Sequence, residues 1–205
     1  SLKFKFAKKR RLNFIDKTLD RTISSSEKFI YFPLGVNQER NLLIAAPLFT
    51  NQIELLRTIA KSIPAEYSIF VKDHVAQGIR AWRDISVYKE IMDIPNVKLL
   101  HHYTSNHEIY QKCSLVVAIA GSPALEAALY GKPSIIFSEL IFNMLPSVYS
   151  VNSIHDLPQI IHKAIQTEVD VKDVSRFFTL LKNNSCSFNW TAYIQRESNE
   201  FFFNG

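Results

Sequence analysis

The sequence predicts an α/β fold in which a parallel β-sheet is flanked by helices. Short apolar runs, typical of buried strands, alternate about five times with segments of helical periodicity. One run, LVVAIA at 115–120, is apolar at every position, as expected for a strand with both faces covered. Such alternation, with right-handed crossovers, brings the carboxyl ends of the strands to one edge of the sheet.

The predicted elements follow one another from residue 28 onward. The strands are KFIYFPL (28–34), YSIFVK (67–72), NVKLL (96–100), LVVAIA (115–120) and PSIIF (133–137), with SVYSVN (147–152) as a weaker candidate. The helices cover 50–63, 84–93, 105–113, 123–130, 156–167 and 173–183. Thr50 is the expected N-cap of the first of these helices. Ser105 and Glu108 have the spacing of a capping box.

The chain has the length of one domain, or of one lobe of a longer enzyme. It has 205 residues, and its hydrophobic fraction of 47% is sufficient to build a core. We predict a basic N-terminal segment and linker at 1–26, an α/β domain at 27–168 and a helical C-terminal segment at 169–205. No apolar run approaches the roughly 18 residues that a membrane-spanning helix needs.

The two cysteines are too few for a disulfide framework in a chain of this length. Cys113 directly precedes a predicted strand, and we expect it to be a small buried core residue. Cysteine usage of this kind predicts a reducing, cytoplasmic location.

Positive charge is concentrated at the N-terminus. The net charge is +5, and the first 11 residues include Lys3, Lys5, Lys8, Lys9, Arg10 and Arg11. We predict a solvated terminal helix here. The interleaved Leu2, Phe4 and Phe6 also suit a segment that rests on the anionic inner face of the plasma membrane. Nucleic acid is not predicted as a partner, because no nucleic-acid-binding motif accompanies the charge.

Polar and cationic residues follow the end of each predicted strand. In chain order they include Gly35, Gln38, Glu39, Lys72, His74, Arg80, Arg83, His101, His102, Ser105, Asn106, Gly121 and Ser122. Open α/β sheets bind their ligands at this edge, so these residues predict a binding site. Two alternatives stay open: Lys72 could extend to solvent from the sheet edge, and His74 could bond only its own loop.

The segment AGSPALEA (120–127) predicts a phosphate site. Gly121 permits a sharp turn, Ser122 suits the N-cap, and Pro123 suits the first helical position. The positive end of the helix then faces the ligand edge. Glu126 leans back over Ser122. Because a carboxylate would repel phosphate, we expect Glu126 to accept hydrogen bonds from ribose hydroxyls, with simple helix-dipole stabilisation as the alternative. A nucleotide fits this pattern.

No metal site is predicted. His101, His102 and His107 lack a cysteine or carboxylate at the usual ligand spacing, and surface or capping roles suit them better. The chain also has no Asp-x-Asp pair that could hold a metal ion.

These residues resemble the capsule polysaccharide biosynthesis proteins, which are glycosyltransferases of the GT-B class that includes Kdo transferases. The matching stretches are YFPLGVNQER (31–40), FVKDHVAQGIRAW (70–82), the long segment from Asn96 to Phe137, and NMLPSVYSV (143–151). The resemblance implies a Rossmann-like, C-terminal nucleotide-sugar-binding lobe, with the acceptor lobe N-terminal to this chain.

The resemblance also implies roles for individual residues. Lys72, His74 and Arg80 would face the donor phosphate and sugar, Gly121 and Ser122 the phosphate, and Glu126 the ribose. Gln38 and Glu39 would lie near the donor sugar, and Ser105 would belong to the donor site. Among these residues, the catalytic candidates are His74 and Glu39. The chain departs from the family at Gly35, Val75 and Ser138, where histidine, proline and glycine are usual. Gly35 and Val75 would lie in donor loops, which implies altered donor choice or weakened activity.

The expected function is therefore donor binding in a glycosyltransferase of capsule or other surface polysaccharide synthesis. The donor would be a CMP- or UDP-linked sugar, the acceptor a glycan or glycolipid, and no cofactor is expected. A sugar-nucleotide epimerase lobe is one alternative, which would need carboxylates from another half. A non-catalytic nucleotide-binding or scaffold module is the other. A scaffold module would not bind nucleotide. It would lose its association with the membrane when four basic residues are neutralised: Lys8, Lys9, Arg10 and Arg11.

Overall fold

The computed structural model describes residues 2–24, 27–36, 40–75, 83–189, 191–193 and 195. Within these residues the helices are α1 Leu2–Thr18, α2 Arg40–Leu43, α3 Gln52–Ser62, α4 Ile85–Met92, α5 Asn106–Lys112, α6 Pro123–Leu129, α7 Leu157–Ile165 and α8 Val171–Asn183. The strands are β1 Phe29–Pro33, β2 Ser68–Lys72, β3 Val97–Leu100, β4 Leu115–Ala118, β5 Ser134–Ile136 and β6 Val148–Ser150. Short 3₁₀ turns cover Pro47–Phe49, Ile141–Met144 and Ile154–Asp156.

The six strands form one parallel sheet in the order β3-β2-β1-β4-β5-β6. β1 lies near the centre, where Phe29 pairs with Ser68 of β2 and Ile30 pairs with Leu115 of β4. The strand order reverses between β1 and β4. The predicted parallel sheet flanked by helices, a Rossmann-like α/β fold, is therefore confirmed.

The two faces of the sheet bury separate apolar layers. Ile30 and Phe32 of β1 pack in one layer, which also receives α3, α4 and α7. Phe29 and Tyr31 alternate with them and pack in the opposite layer with α5 and α6. This alternation follows from the two-residue side-chain period of a strand. Because both faces are covered, the strand sequences are apolar throughout.

The predicted strands and helices occur within about two residues of their expected bounds, and the weaker candidate at 147–152 is a strand. The Thr50 cap is wrong. Asn51 is the N-cap of α3, since its side chain accepts a hydrogen bond from the Glu54 amide at 3.2 Å. Ser105 caps α5 as expected, but the Glu108 carboxylate pairs with Lys112 at 2.7 Å, so the capping box is half formed.

The N-terminal segment is helical at first and then packs on the domain. Ile15, Leu19 and Ile23 are buried, and the backbone of Asp20 bridges to Leu100 at the end of β3. The first half of α1 exposes Phe6 to 76%. No helix in the described ranges is both long and apolar enough to cross a membrane. The membrane contact of α1, the cytoplasmic location and the three-segment division stay predictions.

The two cysteines differ in burial, and this difference predicts their reactivity. Cys113 is fully buried, as expected, and burial raises the pKa of its thiol to about 12, whereas Cys186 is exposed. Because the thiolate is the nucleophile, we expect the folded chain at about pH 8 to react with a disulfide reagent at Cys186 alone. Cys186→Ser should abolish the fast reaction and Cys113→Ser should not. Fast reaction of two thiols before unfolding would contradict the burial.

Candidate functional site

A cleft of about 240 Å³ lies at the carboxyl edge of the sheet, where the strand order reverses. The segment after β1, the end of β2, the segment after β4 and the first turns of α5 and α6 form its walls. The residues that carry its chemistry are Gly35, Lys72, Asp73, His74, Asn106, Tyr110, Gly121, Ser122 and Glu126. Doubly wound sheets bind ligands at this position, because the loops on the two sides diverge there.

The turn into α6 has the predicted backbone geometry. Gly121 has φ of 91°, a left-handed conformation that favours glycine, and Pro123 begins the helix. Ser122 occupies the N-cap position as predicted, but its side chain makes no capping hydrogen bond. Its hydroxyl instead donates to the Glu126 carboxylate at 2.6 Å. Ser122 thus orients Glu126 rather than capping the backbone of α6.

Glu126 also accepts a hydrogen bond from the Tyr110 hydroxyl. Tyr110 is buried, and its ring stacks on Tyr130 with 5.2 Å between centroids. Burial, and then the Glu126 charge, raise the pKa of Tyr110. Sequence reasoning missed this residue. A signal was available, because Asn106 and Tyr110 are four residues apart on one helix and therefore share a face.

Lys72 lies on the opposite side of the cleft from the start of α6 and is buried rather than extended into solvent. Its ammonium donates to the Thr104 carbonyl at 2.9 Å and to Oδ1 of Asn106. Burial lowers the pKa of Lys72, and the negative charge of Glu126 acts in the opposite direction. Lys72 and Glu126, a cation and an anion that both line the cleft, are therefore close enough to influence each other.

A buried ion pair fixes the loop behind Lys72. Nε of Arg83 lies 3.2 Å from Oδ1 of Asp73, and the Tyr88 hydroxyl donates to Oδ2 at 2.8 Å. Burial, and then the Asp73 charge, raise the pKa of Tyr88. The same carboxylate accepts from the His74 amide at 2.9 Å. Three hydrogen bonds therefore fix the Asp73 carboxylate, and one of them also fixes the position of the His74 backbone.

Two side chains fix the backbone of Gly35: Gln52 of α3, and Arg83, which lies in the segment before α4. Buried Gln52 accepts from the Gly35 amide at 2.8 Å and donates to its carbonyl at 3.1 Å. Nη2 of Arg83 donates to that carbonyl at 2.5 Å. These hydrogen bonds fix the backbone at Gly35, two residues beyond the end of β1. Gln52 is a second residue that sequence reasoning missed, because nothing in its helical position marks a polar side chain as buried.

The remaining predicted site residues do not all line the cleft. His74 is exposed at the rim of the cleft. Ser105 caps α5 and is not among the residues that line the cleft, where its neighbour Asn106 is found. Gln38, Glu39 and Arg80 lie outside the described residues, so their roles stay predictions.

The departures from the family pattern have different surroundings. A Cβ at Gly35 would meet Oε1 of Gln52 at 3.7 Å, an ordinary contact, so the backbone does not require glycine there. Val75 is 44% exposed at the rim of the cleft. Ser138 is buried after β5, and its hydroxyl has no hydrogen-bond partner among the described residues.

The histidines that follow β3 have structural partners. The Tyr103 amide donates to Nδ1 of buried His101 at 3.1 Å, so the proton is on Nε2, which lies 3.1 Å from the Asp16 carboxylate. That hydrogen bond, followed by the nearby charge of Arg21, holds the pKa of Asp16 below its usual value. In the described part of the chain, no three metal-ligating side chains form a cluster.

The sequence of the chain matches one known family. The profile of the family described as "Capsule polysaccharide biosynthesis protein" matches residues 4–146. No curated protein matches the chain significantly in sequence.

Solved structures that share the fold include a transferase and an epimerase. The β-Kdo 2,7 transferase KpsC of Thermosulfurimonas dismutans is 14% identical, with a TM-score of 0.51, over 88% of this chain and 63% of that one. The UDP-GlcNAc 2-epimerase of Methanocaldococcus jannaschii, in complex with UDP-GlcNAc and UDP, is 13% identical, with a TM-score of 0.50, over 88% and 51%. The chain therefore spans between about half and slightly under two thirds of these proteins. At this identity the likeness shows the fold alone.

The buried ion pair gives a stability prediction. Asp73→Asn preserves the size of the side chain but removes the negative charge that faces the buried Arg83 guanidinium, so we expect a loss of about 3–5 kcal/mol in the free energy of unfolding. Urea denaturation measures it. Asp84→Asn is the matched control, because Asp84 is 83% exposed and lies 3.6 Å from Arg11, and its loss should stay below about 1 kcal/mol. Equal losses in the two variants would contradict the importance of the buried pair.

Proposed function

The chain belongs to the family of capsule polysaccharide biosynthesis proteins, and we propose that it is the donor-binding lobe of a glycosyltransferase that uses a nucleotide-activated sugar. One observation carries this proposal: Lys72 and Glu126, a cation and an anion, line one cleft at the point where the strand order reverses. A nucleotide-sugar combines an anionic phosphate with neutral hydroxyl donors, so it is complementary to both groups.

The phosphate is assigned to the side of the cleft that Lys72 occupies. An ammonium has three N–H donors. Within the described contacts Lys72 uses two of them, for Thr104 and Asn106. The third remains for a phosphate oxygen. The phosphate would also lie against the backbone at Gly121 and Ser122, where a side chain on residue 121 would be disfavoured by its positive φ.

The ribose is assigned to Glu126. A carboxylate can accept about four hydrogen bonds. Ser122 and Tyr110 supply two of them and fix the orientation of the group. The remaining lone pairs suit the vicinal hydroxyls of a ribose. A preoriented acceptor loses little conformational entropy when the ligand binds.

In the transfer step the acceptor hydroxyl oxygen attacks the anomeric carbon of the donor. The bond from that carbon to the phosphate oxygen breaks, and its electron pair leaves with the nucleotide. Lys72 stabilises the negative charge that develops on the leaving phosphate. A base takes the proton of the acceptor hydroxyl, and we assign it to His74, at the rim of the cleft, with Glu39 as the other candidate.

A nucleotide titration tests the donor site. By calorimetry with CMP, CDP, UDP and GDP, we expect one base to bind saturably, with a Kd between about 1 µM and about 1 mM for a half-site. Glu126→Gln and Lys72→Met should each weaken that nucleotide about tenfold or more, because each removes a charge-assisted contact.

Two exposed residues outside the cleft supply matched controls, Glu139→Gln and Lys61→Met, which should bind as the wild type does. Failure of all four nucleotides to bind the folded chain would overturn the donor-site proposal and favour a scaffold. Cleavage of UDP-sugar with inversion at C2, and no transfer, would favour the epimerase alternative.

The role of His74 predicts a separation between binding and turnover. In the full-length transferase, His74→Gln should lower kcat by about 100-fold or more, because the acceptor proton loses its base. The Kd of the nucleotide should change by less than about threefold, since His74 contributes no charge to the phosphate in this assignment. Transfer rates under single-turnover conditions measure the first quantity. An unchanged kcat would remove His74 from the reaction.

A further inference from the structure

The helix α1 contacts the domain with one side. Lys8, Leu12 and Ile15 line a cavity between α1 and the loop that follows β2. Because an α-helix turns by about 100° per residue, these three positions lie within about 60° of one another around its axis. Ile15 is buried. The opposite side of α1 therefore points away from the domain.

The side of α1 that points away from the domain is exposed and basic. Five residues fall within about 100° of one another on this side. They are Phe6, Lys9, Arg10, Asn13 and Lys17, and all five are exposed. We call this set the basic face of α1. It combines three cations with an aromatic side chain that nothing in the fold of the domain uses.

The other charged side chains of α1 lie outside the basic face. Lys8 lines the cavity against the domain, and Arg11 lies 3.6 Å from Asp84. Asp16 is the one acidic residue in the sequence of α1, and its carboxylate pairs with Arg21 at 2.7 Å. Because Arg21 offsets the charge of Asp16, the three cations of the basic face keep their positive potential. The face thus includes only two of the four consecutive cations at 8–11.

The shape of the basic face indicates a flat partner. From Phe6 to Lys17 the face runs along one side of a straight helix for about 16 Å. Partners that bind single-stranded nucleic acid do so in a positively charged groove, whereas this face is convex. Helices that lie on a bilayer surface combine Lys and Arg, which attract anionic lipids, with aromatic side chains that enter the headgroup layer. The basic face has both features.

We propose that the basic face of α1 binds the surface of an anionic lipid bilayer, with Phe6 among the headgroups and Lys9, Arg10 and Lys17 on lipid phosphates. The inference does not rest on the donor site. It places the bilayer about one helix diameter, about 10–12 Å, from the loop that carries His74, because the opposite side of α1 lies against that loop.

Co-sedimentation of the full chain with lipid vesicles tests the inference. At 0.1 M NaCl the chain should bind vesicles of 70% phosphatidylcholine and 30% phosphatidylglycerol, and should bind pure phosphatidylcholine about 100-fold more weakly. Neutralising Lys9, Arg10 and Lys17 together with Gln should remove about the same factor, since each cation near an anionic surface contributes about fivefold. Phe6→Ala should weaken binding about 3- to 10-fold. Raising NaCl to 0.5 M should weaken it further.

The matched control neutralises three exposed lysines on other helices, Lys61, Lys89 and Lys172, with Gln. It removes the same net charge and should bind vesicles within about threefold of the wild type. Equal binding to the two kinds of vesicle, or equal losses in the two triple variants, would overturn the inference. Binding of a 20-nucleotide RNA without vesicle binding would overturn it and assign the face to nucleic acid.

Two further measurements separate this inference from folding and from the donor site. The triple variant of the basic face should keep the urea midpoint of the wild type, because its three substitutions are at exposed positions. It should also keep the nucleotide affinity of the wild type. Loss of vesicle binding alone then belongs to the basic face, whereas loss of nucleotide binding alone would count against the donor site.

Discussion

The position of β1 between β2 and β4 is the constraint on which the rest of the molecule depends. Five residues of β1 pair in parallel register with β2, and the opposite edge of β1 pairs with β4. The chain leaves these strands in diverging directions, so a cleft opens beyond their carboxyl ends. Gly35, Lys72 and Gly121 come to one place because each lies at or just beyond the carboxyl end of a strand of this central set. Their proximity is a property of the pairing rather than of the loops.

The polar residues around the cleft divide into two groups with different physical roles. Asp73, Arg83 and Gln52 are buried, and their hydrogen bonds to one another, to Gly35 and to His74 hold the loops in position. Lys72 and Glu126 line the cleft, and in the proposed donor site the remaining proton of Lys72 and the remaining lone pairs of Glu126 bind the ligand. Buried charge is tolerated in the first group because each member has a partner. In the second group the charges of Lys72 and Glu126 attract each other. This attraction lowers the free-energy cost of keeping Lys72 charged and buried when no ligand is bound.

The sequence carried enough information for the sheet but only for part of the site. The strands were predicted accurately because short, continuous apolar runs are typical of buried parallel strands. The turn at Gly121 was predicted because a positive φ favours glycine. The cap of α3 was misplaced by one residue, since the preceding 3₁₀ turn has no clear sequence signal. Gln52 and Tyr110 were missed because their partners, Gly35 and Glu126, are distant in sequence. Such pairings depend on tertiary packing, which local patterns do not encode.

The bridge between Asp20 and Leu100 has a consequence for how these molecules behave when crowded. β3 is an edge strand of the described sheet, and an edge with unpaired backbone groups can template pairing with another chain. Here the N-terminal segment covers the end of that edge, and the charged side chain of Lys98 projects from the strand toward Glu27. The other edge, β6, is three residues long. The two edges of the described sheet therefore offer a second molecule little template for edge-to-edge pairing.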